Sequence, residues 1–262
     1  MDIINLLNIG LCSYNFKNHV ASNIPVHNQI IPAKNLQSQQ YLEKINSWSE
    51  DNKMELNLEK TKIMIINFTH NYKFTTNLHL NEQNIEVVDK TKLLGVMITD
   101  DLKWNVNTNY LVKKGFSRMR LLHKVSEFQA SLSDLINIYI VYLRSLLEQS
   151  CQIWHSSLTI EDSENLERVQ KTALKVILKE NYVSYENALA VTDLATLPER
   201  RDELCLRFAK KCTKSEKTSD MFPLKPVISG RKPREKYQVC NANTDRLRDS
   251  AIPYMQRLNA NS

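Results

Sequence analysis

YLEKINSWSEDNKMELNLEKTKIMIINF at positions 41–68 and NIEVVDKTKLLGVMITDDLKW at positions 84–104 are the two segments that decide the fold. In the first, Tyr41, Ile45 and Trp48 recur at helical spacing and predict an amphipathic helix that ends near Trp48. Alternation over 54–58 and apolar runs at 63–66 and 93–98 predict strands separated by polar turns. The expectation is a small antiparallel sheet with one flanking helix.

Beyond Trp104 the apolar spacing becomes helical. Capping patterns open three further helices, at Ser131 with Asp134, at Thr159 with Asp162, and at Thr196 with Glu199. In the second predicted helix, Leu135, Tyr139 and Tyr142 belong to one inward stripe. The fold class is therefore α+β, with the sheet followed by a helical bundle and an irregular basic C-terminal tail.

The same patterns divide the chain into four regions. They predict an extended lead segment over 1–35, a helix with an antiparallel sheet over 36–104, a helical bundle over 105–180, and a helical and irregular basic region over 181–262. The lead segment is expected to lack long elements, because its prolines push the preceding residues toward extended geometry.

Positive charge concentrates in two places. The first bundle helix carries Lys113, Lys114, Arg118, Arg120 and Lys124 with hardly an acid between them. Residues 199–248 hold 14 Lys and Arg against 7 Asp and Glu, so this region accounts for the +6 charge of the whole chain. Both features favour a nucleic-acid backbone as partner, since neutralised phosphates release counterions. A solvated surface is the alternative for both.

Composition excludes several classes of protein. With 262 residues and 42% hydrophobic content, the chain suits one or two globular domains. No stretch approaches the roughly 20 apolar residues of a membrane span, and no secretory signal is evident, so we expect no membrane partner and an intracellular protein, in the cytoplasm or nucleus. Five cysteines without paired spacing indicate reduced thiols. Cys151 and His155 fall short of the four ligands that zinc usually takes, so no metal is expected.

Several motifs resemble one family. They are Trp48 followed by Met54, Leu56-Asn57 and Lys60-Thr61, an apolar strand ending in Phe68, Leu94-Gly95-Val96 with Leu102-Lys103-Trp104, the helix with Arg144, Leu147 and Glu148, then Trp154, and LERVQKTALKVI from Leu166 to Ile177. In this order they are similar to the end of the palm and the thumb of reverse transcriptases of non-long-terminal-repeat retrotransposons.

The resemblance implies roles for seven residues. Lys60 would approach the phosphates of the incoming nucleotide, and Leu94 with Gly95 would form the primer grip, a hairpin that holds the end of the growing strand. Lys113, Lys114, Arg118 and Arg120 would lie along the backbone of an RNA or RNA–DNA duplex. The alternatives are a solvated corner for Lys60 and a strand bulge for Gly95.

The catalytic carboxylates of that family have no match. Its palm holds divalent metals with an adjacent Asp pair in a hairpin. The chain has one such pair, Asp100-Asp101, which follows the primer-grip motif and is predicted to be a turn closing the last strand. The expectation is a truncated RNA-directed DNA polymerase with no catalytic residue and no cofactor of its own, inactive alone, since only a complete enzyme would need Mg²⁺.

Two other readings stay open. The chain could be a decayed open reading frame that folds but binds nothing. It could also be an adaptor that pairs with another protein through an exposed sheet edge.

Overall fold

The computed structural model describes residues 35–66, 77–225 and 236–260. The predicted lead segment, except for its last residue, lies outside the described residues, as do Phe68 and most of the basic stretch GRKPREKY. The chain divides into two compact units, Met1–Lys103 and Trp104–Ser262.

The first unit has one helix and six short strands in its described part. They are α1 (Asn35–Asp51), β1 (Lys62–Ile63), β2 (His79–Leu80), β3 (Gln83–Asn84), β4 (Glu86–Val87), β5 (Lys90–Leu93) and β6 (Val96–Thr99). The helix extends three residues beyond the predicted end. Mixed helix and small antiparallel strands were expected, and both are present.

The strands do not form the single antiparallel sheet that the sequence predicts. In the described residues they form three two-stranded ladders: β2–β3 and β5–β6 are antiparallel, whereas β1–β4 is parallel. The strand predicted over 54–58 is not formed. Asn57 accepts hydrogen bonds from the backbone N–H groups of Lys60 and Thr61, which makes a local turn instead of a ladder.

A small apolar core joins α1 to the strands. It contains four buried side chains, Leu42 from α1 with Leu78, Leu80 and Ile85, and three partly buried ones packed against them, Leu56, Leu58 and Ile63. Burying leucine and isoleucine side chains contributes roughly 1.5–3 kcal/mol each relative to exposure. This cluster therefore holds the short strands in place where their few hydrogen bonds would not.

The second unit is helical in its described part. Its α-helices are α2 (Asn105–Glu127), α3 (Leu132–Ile138), α4 (Ser145–Leu147), α5 (Cys151–Trp154), α6 (Ile160–Leu178), α7 (Tyr185–Thr192), α8 (Leu197–Cys212), α9 (Asp245–Arg248) and α10 (Ala251–Ala260). A π-helical segment, Tyr139–Arg144, connects α3 to α4.

The longest helix, α2, packs closely against α6. At their contact lies Gly115, where an added Cβ would stand 3.0 Å from Val169 Cγ1 and 3.6 Å from Leu147 Cδ2. The missing side chain lets the two helix backbones approach each other. The fully buried side chains of the second unit include Leu122, Tyr139, Leu143, Leu147, Trp154, Leu166, Val169 and Leu174.

The π segment corrects one predicted core position. The sequence places Tyr142 in the inward stripe, but Leu143 is fully buried and Tyr142 is 39% exposed. A π turn closes i→i+5 hydrogen bonds and so inserts one extra residue into the helix. The apolar face consequently advances by one position after Tyr139.

Helix caps follow the sequence closely. Ser131 and Thr159 each accept a hydrogen bond from the backbone N–H three residues later, and Thr196 with Glu199 forms a complete capping box with Pro198 in the first turn. In the C-terminal region α10 packs against α8. Pro253 lies in the first turn of α10, where no intrahelical N–H bond is lost. Among the described helices, none has the length and apolarity needed to cross a membrane.

Candidate nucleic-acid interface

Helix α2 has one buried face and one exposed face. The buried face contains Asn107, Thr108, Leu111, Val112, Gly115, Met119, Leu122 and Ser126. These positions recur every three or four residues and therefore form a continuous stripe against the bundle. Whatever lies half a turn away must face outward.

Four residues occupy that outward face: Lys113, Ser117, Arg120 and Lys124, at spacings of four, three and four residues. We call this set the basic stripe; all four are exposed. Arg120 donates from Nη2 to Ser117 Oγ at 3.0 Å and from Nε to the Ser117 carbonyl at 3.3 Å, which holds its guanidinium along the helix. The stripe spans about 16 Å at 1.5 Å per residue.

The charge of α2 is almost entirely of one sign. Its sole acidic residue is Glu127, the last residue of the helix. Within the described part of the chain, neither Lys113 nor Lys124 takes part in an ion pair. The basic stripe therefore presents its charge outward instead of neutralising it internally.

The other two predicted bases lie on a neighbouring side of α2, each against an aromatic ring. Lys114 Nζ contacts Tyr110, 3.1 Å from its hydroxyl and 5.4 Å from the ring centroid. Arg118 places its guanidinium 4.7 Å from the ring centroid of Tyr142 and donates to the Tyr142 carbonyl. We call these four residues the aromatic flank. The structure thus separates the four predicted bases into two pairs.

Residues of the family-like motifs hold the bundle together beneath α2. Glu148 Oε1 lies 3.2 Å from Arg144 Nε and 3.2 Å from Arg200 Nε, which links the end of the π segment to α8. The pKa of Arg200 is raised, because the attraction of Glu203 and Glu148 outweighs its burial. These ion pairs hold the residues that flank α4 against α8.

A buried hydrogen-bond chain crosses the bundle from the π segment to the start of α8. The Tyr139 hydroxyl donates to Gln170 Oε1, Gln170 Nε2 donates to the Tyr185 hydroxyl at 2.8 Å, and that hydroxyl donates to Glu167. Glu167 Oε2 also accepts from the Leu197 N–H at 3.1 Å. Burial raises the pKa of both tyrosines. The chain keeps buried polar groups satisfied, as a packed core requires.

Arg201 is fully buried and organises the contact between α5 and α8. Its guanidinium lies 5.6 Å from the Trp154 ring centroid, and its Nε donates to His155 Nδ1 at 3.1 Å. Nδ1 is therefore an acceptor, so His155 donates from Nε2 to Asp202 Oδ1 at 2.8 Å. Asp202 also accepts from the Tyr254 hydroxyl, which ties α10 to α8.

This arrangement bears on the Cys151 and His155 pair. Both ring nitrogens of His155 are bonded to protein groups, and Cys151 is fully buried. In the described ranges, no group of three or more His, Cys, Asp or Glu side chains is arranged to hold a metal ion. The pair is part of the bundle core.

In the first unit, Leu94 and Gly95 form the two-residue turn of the β5–β6 hairpin. Leu93 pairs with Val96, and both turn residues have positive φ, 49° for Leu94 and 91° for Gly95. Two positive φ values in a two-residue hairpin loop define a type I′ turn, which favours Asn-Gly. Leu94 is 51% exposed at the tip. Gly95 is therefore a hairpin-turn residue and not a strand bulge, and the single strand predicted over 93–98 is wrong, because this turn divides it between β5 and β6.

Lys60 ends a tight turn that begins at Asn57. Its backbone N–H donates to Asn57 Oδ1 at 3.0 Å, and Thr61 Oγ1 donates to the Asn57 carbonyl at 2.8 Å. Asn57 and Thr61 of the motif thus shape the turn, and the Lys60 side chain is exposed beyond it.

Asp100 and Asp101 lie in the turn that follows β6. Asp101 Oδ1 accepts from Thr99 Oγ1 at 2.7 Å and from the Lys103 N–H at 3.0 Å. Burial alone would raise the pKa of Asp101, but these hydrogen bonds and the charge of Lys103 lower it overall. The pair is engaged in closing the strand.

Lys60, Leu94 and Gly95 belong to the first unit, whereas the four bases of α2 belong to the second. Sequence reasoning included Lys124 in the basic run but missed Ser117 as a partner and the pairing of Tyr110 and Tyr142 with cations. The spacing of Tyr110 four residues before Lys114 was the available signal. Tyr142 gave none, because its exposure depends on the π segment.

Comparison of the chain with protein-family models, with curated proteins and with solved structures finds no match.

Proposed function

We propose that the chain is the part of a retrotransposon-type RNA-directed DNA polymerase that follows the catalytic carboxylates, and that it holds an RNA–DNA duplex. The observation that carries this proposal is the basic stripe of α2. It is exposed, continuous over about three helical turns and free of acidic residues until Glu127. A nucleic-acid backbone is the ligand that suits such a surface, because each phosphate that a base neutralises releases counterions.

The rigidity of the bundle supports this role. The basic stripe lies on the face opposite a closely packed contact at Gly115, so its charges have a fixed backbone. Preorganised charges bind a regular backbone without losing much conformational entropy.

The hairpin tip supports a second contact. Leu94 is held at positive φ, which costs a non-glycine residue about 1 kcal/mol or more, and its side chain is half exposed. Strain kept at an exposed tip is typical of a contact site. We assign Leu94 and Gly95 to the primer end, and Lys60 at its own turn to a nucleotide phosphate.

The proposal includes no polymerisation by this chain alone. Asp101 accepts two hydrogen bonds within the turn that follows β6, and the Asp100 N–H donates to the Asp89 carbonyl. The metal-binding carboxylates of the family have no counterpart in the sequence. In such an enzyme the catalytic part would bind the metal ions. Whether the chain is an enzyme depends on that part.

Binding of a labelled RNA–DNA duplex at several salt concentrations tests the proposal. A triple variant, Lys113→Gln, Arg120→Gln and Lys124→Gln, should weaken binding and reduce the salt slope by about one per lost phosphate contact, or roughly three. The matched control is Arg168→Gln, Lys171→Gln and Lys175→Gln, which removes the same charge from the exposed side of α6 and should leave the slope nearly unchanged.

Equal losses in the two variants would show that net charge, not the basic stripe, governs binding. Absence of binding at low salt would refute the proposal, and primer extension with Mg²⁺ would mean that the catalytic carboxylates had been misplaced.

One observation favours an adaptor as the second candidate. Each strand in the described residues has only one hydrogen-bonded neighbour, so every ladder has unpaired edges. Such edges can accept a strand from another chain. Concentration-dependent association without nucleic acid, measured by sedimentation, would favour the adaptor; a protein that neither associates nor binds would fit the decayed reading frame.

A further inference from the structure

The aromatic flank differs chemically from the basic stripe. Its cations are held against rings: Lys114 at Tyr110 and Arg118 over Tyr142. Such pairs offer stacking surfaces as well as charge, because a guanidinium plane and a tyrosine ring both have flat faces. A duplex backbone would use only their charge.

The position of Tyr142 is set by the π segment. Without the inserted residue, Tyr142 would belong to the buried stripe. With it, Leu143 is fully buried, while Tyr142 is 39% exposed and Val141 is 73% exposed. A π segment interrupts the regular hydrogen-bond pattern of an α-helix, and such segments are frequent at functional sites. Here the segment places an aromatic ring beside Arg118 at the surface.

We infer that the aromatic flank binds unpaired nucleotides of a single-stranded nucleic acid, with a base stacked on the Arg118–Tyr142 pair. This inference rests on the proposed function, because α2 would hold the adjoining duplex. Stacking is tolerant of sequence, since every base has a flat face, and the nearby Lys114 would attract the backbone phosphates. A peptide or lipid partner would gain nothing specific from flat rings alternating with cations.

Charge complementarity favours a nucleic acid as the ligand of the aromatic flank. Tyr110, Lys114 and Arg118 follow one side of α2 within about two turns, with no acidic residue of α2 among them. Tyr142 of the π segment lies against Arg118. Single-strand binding sites combine positive charge along the backbone with aromatic platforms for bases. The chain therefore has two adjacent surfaces, one suited to a duplex and one to an unpaired strand.

The test compares three labelled probes of one sequence: a blunt RNA–DNA duplex, the same duplex with a six-nucleotide overhang, and the single strand. The 262-residue chain should bind the overhang probe more tightly than the blunt one. Tyr142→Leu should weaken binding of the single strand and the overhang probe on the order of tenfold, the scale of one lost aromatic–base stack. Binding of the blunt duplex should not change.

Two further variants separate stacking from structure. Tyr142→Phe keeps the ring and should retain wild-type affinity for all three probes. Tyr182→Leu removes a ring paired with Lys175 elsewhere on the bundle and should also have no effect. If Tyr142→Leu lowers the melting temperature, Arg118→Lys takes its place, because it keeps the charge and removes the planar group.

The salt dependence distinguishes this inference from the proposed function. Tyr142→Leu should leave the salt slope unchanged, because no phosphate contact is lost. A Tyr142→Leu variant that binds all probes like the wild type, or that weakens all of them equally, would overturn the inference and leave duplex binding in place. Failure of the wild type to bind any probe would overturn both.

Discussion

At the scale of single residues, buried charge decides which bases of α8 are available to a ligand. Arg200 and Arg201 contribute to the C-terminal excess of positive charge. Arg200 contacts Glu148 and Glu203, and Arg201 is fully buried against Trp154 and His155. A charge count cannot distinguish such residues from surface ones. The basic surface of this region is therefore smaller than the sequence suggests.

Asp202 makes the stability contributed by this site depend on pH. Burial raises the pKa of its carboxyl group. Hydrogen bonds from His155 and Tyr254 and the charge of Arg201 lower this pKa by more than burial raises it, so the net shift is downward. The folded state therefore prefers the carboxylate. Its contribution to stability is present above the unfolded pKa of about 3.9 and is lost as the pH falls through the lower folded value.

We predict that Asp202→Asn destabilises the protein at pH 7 and that this difference narrows below about pH 4. Urea unfolding of both proteins from pH 7 to pH 3 measures it. Asp193→Asn is the control, since Asp193 is exposed and Asn tolerates the same left-handed backbone. A stability gap for Asp202→Asn that stays constant over this range would contradict the assigned role.

At the scale of elements, local chemistry fixed the helix starts and tertiary packing fixed the register. Ser131, Thr159 and Thr196 begin helices as predicted, because a side-chain oxygen satisfies a free N–H within the same turn. The π segment was not predicted, since the pattern at 135–147 fits an ordinary helix. Packing against α2 and α6 decides between the two registers.

The β5–β6 turn gives a prediction at this scale. Leu94→Asn should stabilise the first unit by about 0.5–1 kcal/mol, because Asn tolerates the positive φ of a type I′ turn better than Leu. Chemical denaturation measures the change in the free energy of unfolding. Leu93→Asn is the contrasting variant. It should destabilise the first unit, because Leu93 lies in β5 with ordinary strand geometry. No gain from Leu94→Asn would argue against the turn type.

At the scale of the whole molecule, the chain divides into two compact units. The second unit contains α2, the buried chain from Tyr139 to Glu167 and the Arg201 site. The hydrogen bonds of that buried chain and of the Arg201 site all join residues of the second unit.

We predict that the fragment 104–262 folds on its own. It should give a helical circular-dichroism spectrum and a cooperative melt, and its affinity for the single strand should match that of the full chain. The fragment 1–103, whose described core is the small cluster around Leu42, should be much less stable. A fragment 104–262 that lacks a cooperative transition would show that the second unit depends on the first.

The sequence alone determined the mixed class, the helix caps and the concentration of charge on α2. These features depend on neighbours within a few residues, so their physical causes are readable locally. Their functional roles stay predictions.

Only the tertiary structure decided which residues meet. It divided the four predicted bases between the basic stripe and the aromatic flank, buried Arg201, and replaced one predicted sheet by three short ladders. Each outcome depends on contacts between distant segments, such as Tyr142 with Arg118 or Asp202 with Tyr254. A periodic pattern marks which face of a helix is apolar, but the partner that covers it is chosen by the packing of the entire bundle.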